Sequence, residues 1–318
     1  MILTDLKLSP PIFLAPMAGI TDTPSREIAQ LFNPGLVVSE MIASSEKDKK
    51  YFEKTVKNNL DYSVESKRSC PTAIQIAGCE VEWMCYAAQV IGNEGGQLVD
   101  INMGCPSKKV VGKLAGSALM REPSKALKLI ESVVKVSNIP VTLKMRLGWD
   151  EHTINAVEIA KRAEECGVQM VTIHARTRSQ FFSGKPKWEL LKKIKEQLSI
   201  PLIVNGDILD VATATAALKH SNADGLMLGR ASIGKPWLIH EISASLYKID
   251  SIKPIENDSL YNLIYNHLQH TVRFYGKEIG IRIFRKHLVG YLKHLDHNSD
   301  IKKSVLIEGS KAVLERKL

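Results

Sequence analysis

A chain of 318 residues with 44% hydrophobic and 24% charged side chains has room for one large core, or for one core and a small companion, and is neither a disordered nor a fibrous sequence. No apolar run reaches the roughly 18 uncharged residues of a membrane span, and MILTDLKLSPPIFLAP lacks the basic start and long apolar stretch of a secretory leader. Five scattered cysteines without a C-x-x-C pair argue against a disulfide framework and a structural zinc site, and for a reducing, cytoplasmic setting. The net charge of +9 is uneven. Residues 273–318 hold eleven Lys and Arg against five Asp and Glu, a net of +6. A polyanionic partner such as nucleic acid would explain that excess, and so would a plain solvated helical surface.

In chain order, short apolar runs rich in β-branched residues fall at 12–16, 36–39, 72–77, 98–102, 141–146, 170–174, 201–205 and 225–229. Amphipathic stretches separate them at 23–32, 80–93, 124–137, 154–166, 188–198, 211–219 and 233–247, with apolar residues at three- and four-residue intervals, as at Ala156, Ile159, Ala160 and Ala163. The long polar connection 39–72 has room for an extra helix or hairpin. Strand–helix alternation implies a parallel sheet covered on both faces. Eight repeats over about 240 residues predict an α/β fold of the (β/α)8 TIM-barrel type rather than an open doubly wound sheet. The reason is placement: Met17, Glu40, Gln75, Asn102, Lys144, Arg146, His174, Asn205 and Arg230 all end strands, and a barrel gathers those ends around one mouth. Residues 1–247 are therefore expected to form the barrel domain. Beyond them, 248–318 would hold a polar linker (248–259, with Pro254) and a small all-helical domain. There Ile281, Phe284, Leu288, Leu292 and Leu295 share one helix face, while Arg282, Lys286 and Lys293 form a stripe beside it.

Three signals carry chemistry. VNGD (204–207) and LGR (228–230) end the seventh and eighth strands, where TIM barrels often bind phosphate; glycine admits close backbone approach, and Arg230 adds charge. In LKMR (143–146) alternation puts Lys144 and Arg146 on one face, and two interior cations need an anionic ligand or ion pairs to Asp100 or Glu40. DINMGCPSKKVVGKLAGSA (100–118) leaves the fourth strand as a Gly- and Lys-rich loop. It carries Cys105 where it can face the mouth as nucleophile or acid, and Gly112 and Gly116 where they would let the loop close over a substrate. The other four cysteines read as packing residues. His174 reads as a ligand contact. No His/Asp/Glu cluster suits a metal, and the surrounding cations would repel one.

Taken together, APMAGITD (15–22), SEM (39–41), QIAG (75–78), DINMGCPSKKVVGKLAGSAL (100–119), LKMRLGW (143–149), TIHARTR (172–178), NGDI (205–208), MLGRA (227–231) and GIRIFRKH (280–287) resemble the tRNA-dihydrouridine synthases, in detail the bacterial B-type subgroup. NMGCP followed by KLAGSAL is specific to that family, whereas APM and NGD occur in other flavin barrels. The resemblance implies an FMN-dependent enzyme, reduced by NADPH or NADH, that converts a tRNA uridine to dihydrouridine. Pro16, Met17 and Ala18 would line the flavin ring, with Gln75 and Lys144 at its polar edge. His174, Asn205, Gly206, Asp207, Gly229 and Arg230 would hold the ribityl phosphate. Cys105 matches the acid that protonates C5 of uracil, and Asn102 and Arg146 match groups that hold the extruded base. Lys108, Lys109, Arg178, Arg282, Arg285 and Lys286 are expected to meet the RNA, since a base must leave its stack and the tRNA body must be held meanwhile. A monomer without metal or membrane is expected. A rival on the same barrel is a small-molecule ene-reductase or dihydropyrimidine-type dehydrogenase, which would need no basic helices. Thr23 and Ser25 stand where B-type relatives tend to have a basic and an aromatic residue, predicting an altered tRNA contact, and the C-terminal stretch is slightly shorter than the family pattern.

Overall fold

Strands rich in Val, Ile and Leu and buried on both faces can only be satisfied between layers, and this chain arranges them as a closed barrel. The computed structural model describes residues 1–45, 49–60, 70–249 and 257–294. A short antiparallel hairpin, β1 (Ile2–Leu3) and β2 (Leu6–Lys7), precedes the barrel. The parallel staves are β3 (Ile12–Leu14), β4 (Leu36–Val38) with β5 (Ile42–Ala43), β6 (Thr72–Ala77), β7 (Leu98–Met103), β8 (Val141–Arg146), β9 (Met170–His174), β10 (Leu202–Asn205) and β11 (Gly225–Leu228). Both β4 and β5 pair with β6, so they are two pieces of one stave. Pairing of β11 with β3 closes the ring.

Period-two alternation divides each strand between two cores. Phe13, Leu36, Ala73, Leu98, Met170, Ile203 and Met227 fill the barrel interior, with Leu3 and Leu8 of the hairpin segment plugging its N-terminal end. Ile12, Val37, Ile74, Val99, Leu143 and Val171 point outward against the helices. One step further up the same inward faces, the residues become polar: Gln75, Asp100, Asn102, Thr142, Lys144, His174 and Asn205. That change from apolar to polar layers turns the C-terminal mouth into a site.

The covering helices are α1 (Thr23–Gln30), α2 (Lys49–Leu60), α3 (Val81–Asn93), the short α4 (Lys108–Val111), α5 (Pro123–Val136), α6 (Ala156–Glu165), α7 (Leu190–Lys195), α8 (Val211–Ser221) and α9 (Leu238–Tyr247). Their ends follow local chemistry. Asp22 caps α1 by accepting from the Ser25 N–H with Pro24 in the first turn, and Asp210 and Thr213 form a reciprocal box on α8. The long connection 39–72 does hold an extra helix, α2, together with β5.

Helices α10 (Asn257–Tyr275) and α11 (Lys277–Tyr291) pack on each other and against α1. Phe284, Leu288 and Leu292 of the expected apolar face are buried, while Arg282, Arg285, Lys286 and Lys293 are exposed. Leu295, Lys302, Lys303, Lys311, Arg316 and Lys317 lie outside the described residues, as do 250–256 of the expected linker with Pro254. A polar cluster seals the seam to the barrel. The Ser25 hydroxyl donates to Asp22 at 2.5 Å and lies 3.1 Å from His287 Nε2 and 3.3 Å from His267 Nε2, and His267 Nδ1 meets the Tyr291 hydroxyl at 3.0 Å. Burial drives His267 well below, and His287 below, the ordinary histidine range, so both are neutral donors or acceptors here. Thr23 is buried too, its hydroxyl donating to the Asn58 carbonyl. The expectation that Thr23 and Ser25 alter an RNA contact is therefore corrected: both are spent inside the protein.

Candidate active site

The strand ends surround a cavity of about 420 Å³ at the C-terminal mouth. It is lined by Cys105 and by all of the expected flavin contacts, namely Pro16, Met17, Ala18, Gln75, Lys144, His174, Asn205, Gly206, Asp207, Gly229 and Arg230, and by Asn102 and Arg146. Lys108, Lys109, Arg178, Arg282, Arg285 and Lys286 do not line it. Lys108 and Lys109 are exposed on α4, just past the lining residue Ser107, whose hydroxyl caps that helix. Arg178 stacks on Trp149 at 4.5 Å and on Phe181 at 5.0 Å.

The floor is a relay of amides. Asp100 is buried, and burial pushes its carboxyl above the usual range. It accepts from Thr142 Oγ1 at 2.7 Å and Gln75 Nε2 at 2.6 Å; Gln75 Oε1 accepts from Asn102 Nδ2 at 2.6 Å. Asn102 Oδ1 in turn accepts from the N–H groups of Gly104 (3.2 Å) and Cys105 (3.0 Å). On the other side the Cys105 carbonyl accepts from the Ser117 N–H at 3.1 Å and the Ser117 hydroxyl at 2.8 Å. The thiol-bearing residue is thus pinned from both flanks. Gly116, at φ +61°, permits this, because a Cβ there would lie 3.0 Å from the Cys105 carbonyl oxygen and 3.2 Å from its Cβ. In this structure its lack of a side chain serves close packing behind the thiol.

Lys144 and Arg146 share the inward face of β8, but neither pairs with Asp100 or Glu40 among the described residues. Among the described residues Lys144 Nζ donates to Asn205 Oδ1 alone, at 3.2 Å, while Asn205 is oriented by its own bond to the Met227 carbonyl at 2.7 Å. Desolvation pushes the Lys144 ammonium down to about 8. Arg146, 1% exposed, bonds the Gly104, Thr177 and Phe181 carbonyls at 2.8 Å each, tying the Cys105 loop to the loop after β9.

The sequence reading passed over Arg176. It is wholly buried, donates to the Ser183 and Gly184 carbonyls, and forms an ion pair with Asp207. Asp207 also pairs with Arg230 at 3.0 Å. Its carboxylate therefore braces two arginines, which hold it below the usual carboxylate range, and offers nothing to a phosphate. His174, the last residue of β9, is ringed by Arg146, Lys144, Arg176 and Arg230. Burial foremost, and then those charges, hold it well below the ordinary histidine range. Strand alternation does not single out Arg176, because β9 ends two residues before it, whereas Arg146 still belongs to β8. Phe181 and Phe182 also line the cavity unforeseen; Phe182 is 49% exposed and lies 4.7 Å beneath the Arg230 guanidinium. Of the five cysteines, Cys105 lines this cavity; the other four are free thiols, Cys70 buried in the core, Cys79 and Cys166 packed against it, and Cys85 half-buried. No group of three or more His, Cys, Asp or Glu suited to a metal occurs among the described residues. Nor, among them, is any helix long and apolar enough to cross a membrane.

The closed (β/α)8 barrel with a polar, cation-rich mouth is a fold that comparison with solved structures also finds. Morphinone reductase superposes with a TM-score of 0.53 at 14% identity, over 79% of this chain and 89% of that one. Histamine dehydrogenase from Rhizobium sp. 4-9 gives 0.55 at 13%, over 82% and 49%. At such identities the likeness is one of fold. The family model described as Dihydrouridine synthase (Dus) matches residues 13–312, so the chain belongs to the dihydrouridine synthase family. It is 45% identical over 291 residues to the "Probable tRNA-dihydrouridine synthase" of Rhodobacter capsulatus, covering 91% of this chain and 88% of that protein. It is also 45% identical over 289 residues to tRNA-dihydrouridine synthase B of Pasteurella multocida, covering 90% and 85%. The motif resemblance and the whole-chain comparison therefore agree, including on the B-type relatives.

Proposed function

We propose that the chain reduces the C5=C6 bond of a D-loop uridine in tRNA, with FMN held in the barrel mouth and NADPH or NADH as reductant. One observation carries this reading: a single cavity brings together the Cys105 thiol, the cation Lys144 without an ion-pair partner among the described residues, and the glycine turns at the ends of β10 and β11. The donor set fits a flavin mononucleotide. A Cβ on Gly229 would meet nothing nearer than Ala15 Cβ and Met17 Sδ, both at 4.0 Å, so there is open space where a phosphate could approach backbone. Arg230, exposed beside it, supplies a cation, and Pro16, Met17 and Ala18 supply an edge for a flat ring.

FMN, when bound, supplies the hydride equivalent for C6 of the pyrimidine. The chain must then deliver a proton to C5 and hold the base. Cys105 Sγ carries that proton, and the thiolate left behind faces the positive charges of Lys144 and Arg146. Asn102 spends its oxygen on the Cys105 loop and its amide on Gln75, so its part is to orient the acid's loop as much as to touch the base. In this reading 1–247 form the catalytic unit and 248–318 the RNA-binding one, with Arg282 and Arg285 exposed toward phosphates and Lys108 and Lys109 beside the mouth.

The test is to incubate the protein with NADPH and tRNA lacking dihydrouridine and to map the product by position. Dihydrouridine from wild type, falling about 10²- to 10⁴-fold in Cys105→Ala with flavin retained, is the expected result. A yellow protein that oxidises NADPH, reduces enones or free uracil and leaves tRNA unmodified would favour the small-molecule reductase instead.

A further inference from the structure

Lys286, which in sequence is one more cation of a basic helix, is engaged with the barrel. Its ammonium donates to the Gly19 carbonyl at 3.3 Å, while the Gly19 N–H donates to the Glu40 carboxylate from the end of β4. The Gly19 peptide is thus held at both ends by charged groups. Gly19 sits at φ +74°, and a Cβ on it would lie 2.9 Å from Lys286 Nζ, so glycine makes room for the contact. The loop it belongs to supplies Pro16, Met17, Ala18 and Ile20 to the cavity wall.

One helical turn beyond Lys286, on the same face of α11, comes Gly290. It packs backbone to backbone on Gly234, where a Cβ on Gly234 would lie 2.0 Å from the Gly290 carbonyl carbon. Gly234 follows Ile233 in the loop after β11, which lines the cavity through Gly229, Arg230, Ala231 and Ile233. Since β11 and β3 are neighbouring staves, α11 straddles two adjacent loops that together build one wall of the site.

We infer that Lys286 is a positioning residue: through Gly19 it locks the Pro16–Ile20 wall of the cavity to helix α11, and it is not a contact to RNA phosphate. Docking of a polyanion on the exposed Arg282 and Arg285 of that helix would then be transmitted to the cavity wall through the helix itself. The RNA part of this inference rests on the proposed function; the positioning part does not, and is measured without flavin or RNA.

Amide hydrogen exchange of the full-length protein, read over residues 16–22, compares wild type with Lys286→Ala and Lys286→Arg. Losing a hydrogen bond from a charged donor is expected to speed exchange of the Gly19, Ile20 and Thr21 amides about tenfold in Lys286→Ala, with β9 unchanged and Lys286→Arg restoring protection. In parallel, binding of an unmodified tRNA transcript is titrated against salt. The slope of log affinity against log salt is expected to match wild type in Lys286→Ala, whereas loss of a phosphate contact would lower it by about 1. Unchanged exchange at 19–21, acceleration that extends equally to β9, or a slope reduced by about 1 would each overturn the assignment. A wild-type protein that fails to bind FMN or tRNA counts against the proposed function, and leaves the exchange result to judge the clamp alone.

Discussion

Lys144 is where stability and function pull apart, and Lys144→Met measures the conflict. The ammonium is held among buried groups with one hydrogen bond to Asn205 and no carboxylate paired with it, and burial lowers its pKa from the ordinary 10.5 to about 8. At ~1.4 kcal/mol per pKa unit, that drop means the protonated folded state is penalised by roughly 3 kcal/mol near pH 7. Removing the charge relieves the penalty and forfeits one hydrogen bond worth about 1 kcal/mol. Methionine keeps most of the volume. The flavin-free Lys144→Met protein should therefore be more stable than wild type by roughly 2 kcal/mol at pH 7.

The pH dependence fixes the sign. A base whose folded pKa lies below its unfolded value binds fewer protons folded than unfolded between the two, so wild-type stability should rise with pH from about 8 towards 10.5. The variant should lose that rise. An anionic ligand reverses the logic: it restores the lysine's charge, so FMN affinity should be full below pH 8 and decline by up to about tenfold per pH unit above it. In Lys144→Met the affinity should be weak and flat. Urea unfolding at pH 7 and 9.5, with flavin titration by fluorescence quenching at the same two values, reads all of this. A variant less stable than wild type at pH 7, or wild-type flavin affinity equal at both pH values, would refute the reasoning.

Asp207→Ala strips the buried Arg176 of its carboxylate and places alanine at φ +47°, so urea unfolding should show a loss of about 3–4 kcal/mol; Asp207→Asn, which keeps an acceptor and tolerates that backbone, should lose less. Gly234→Ala forces a Cβ into Gly290 at φ +71° and should cost about 3 kcal/mol, visible as faster hydrogen exchange in α11 with the barrel strands little changed. Acid should loosen the same seam. His267 and His287 are held below their ordinary 6.5 chiefly by burial, so stability is lost as pH falls from about 6.5. A His267→Asn, His287→Asn double variant should show a smaller drop in the urea midpoint between pH 7 and pH 5.

How much of this was legible in the sequence depends on the distance over which each fact is written. Strand positions came within a residue or two because parallel staves are buried on both faces and read as unbroken β-branched runs. The hairpin β1–β2 escaped, since strands of two residues carry no periodicity. The cavity lining was legible because alternation is local: once β8 is placed, Lys144 and Arg146 must point together, whereas Arg176 lies two residues past the end of β9, where alternation no longer applies. What alternation cannot say is which polar group a side chain meets. Asp207 looked like part of a phosphate turn, yet its carboxylate belongs to arginines 31 and 23 residues away.

The seam is the extreme case. Ser25 meets His267 and His287 across 242 and 262 positions, and Lys286 meets Gly19 across 267. No single-chain pattern ties such pairs together, because each partner satisfies its own helix's periodicity without the other. In sequence Lys286 is indistinguishable from Arg282 and Arg285, three cations within one turn of the same basic helix. Only the placement of α11, where Gly290 seats on Gly234, brings one of these exposed cations onto the Gly19 carbonyl and leaves the other two without that contact. Among the described residues, the cations of α11 are therefore divided by packing into one that meets the cavity wall and others left exposed for a polyanion.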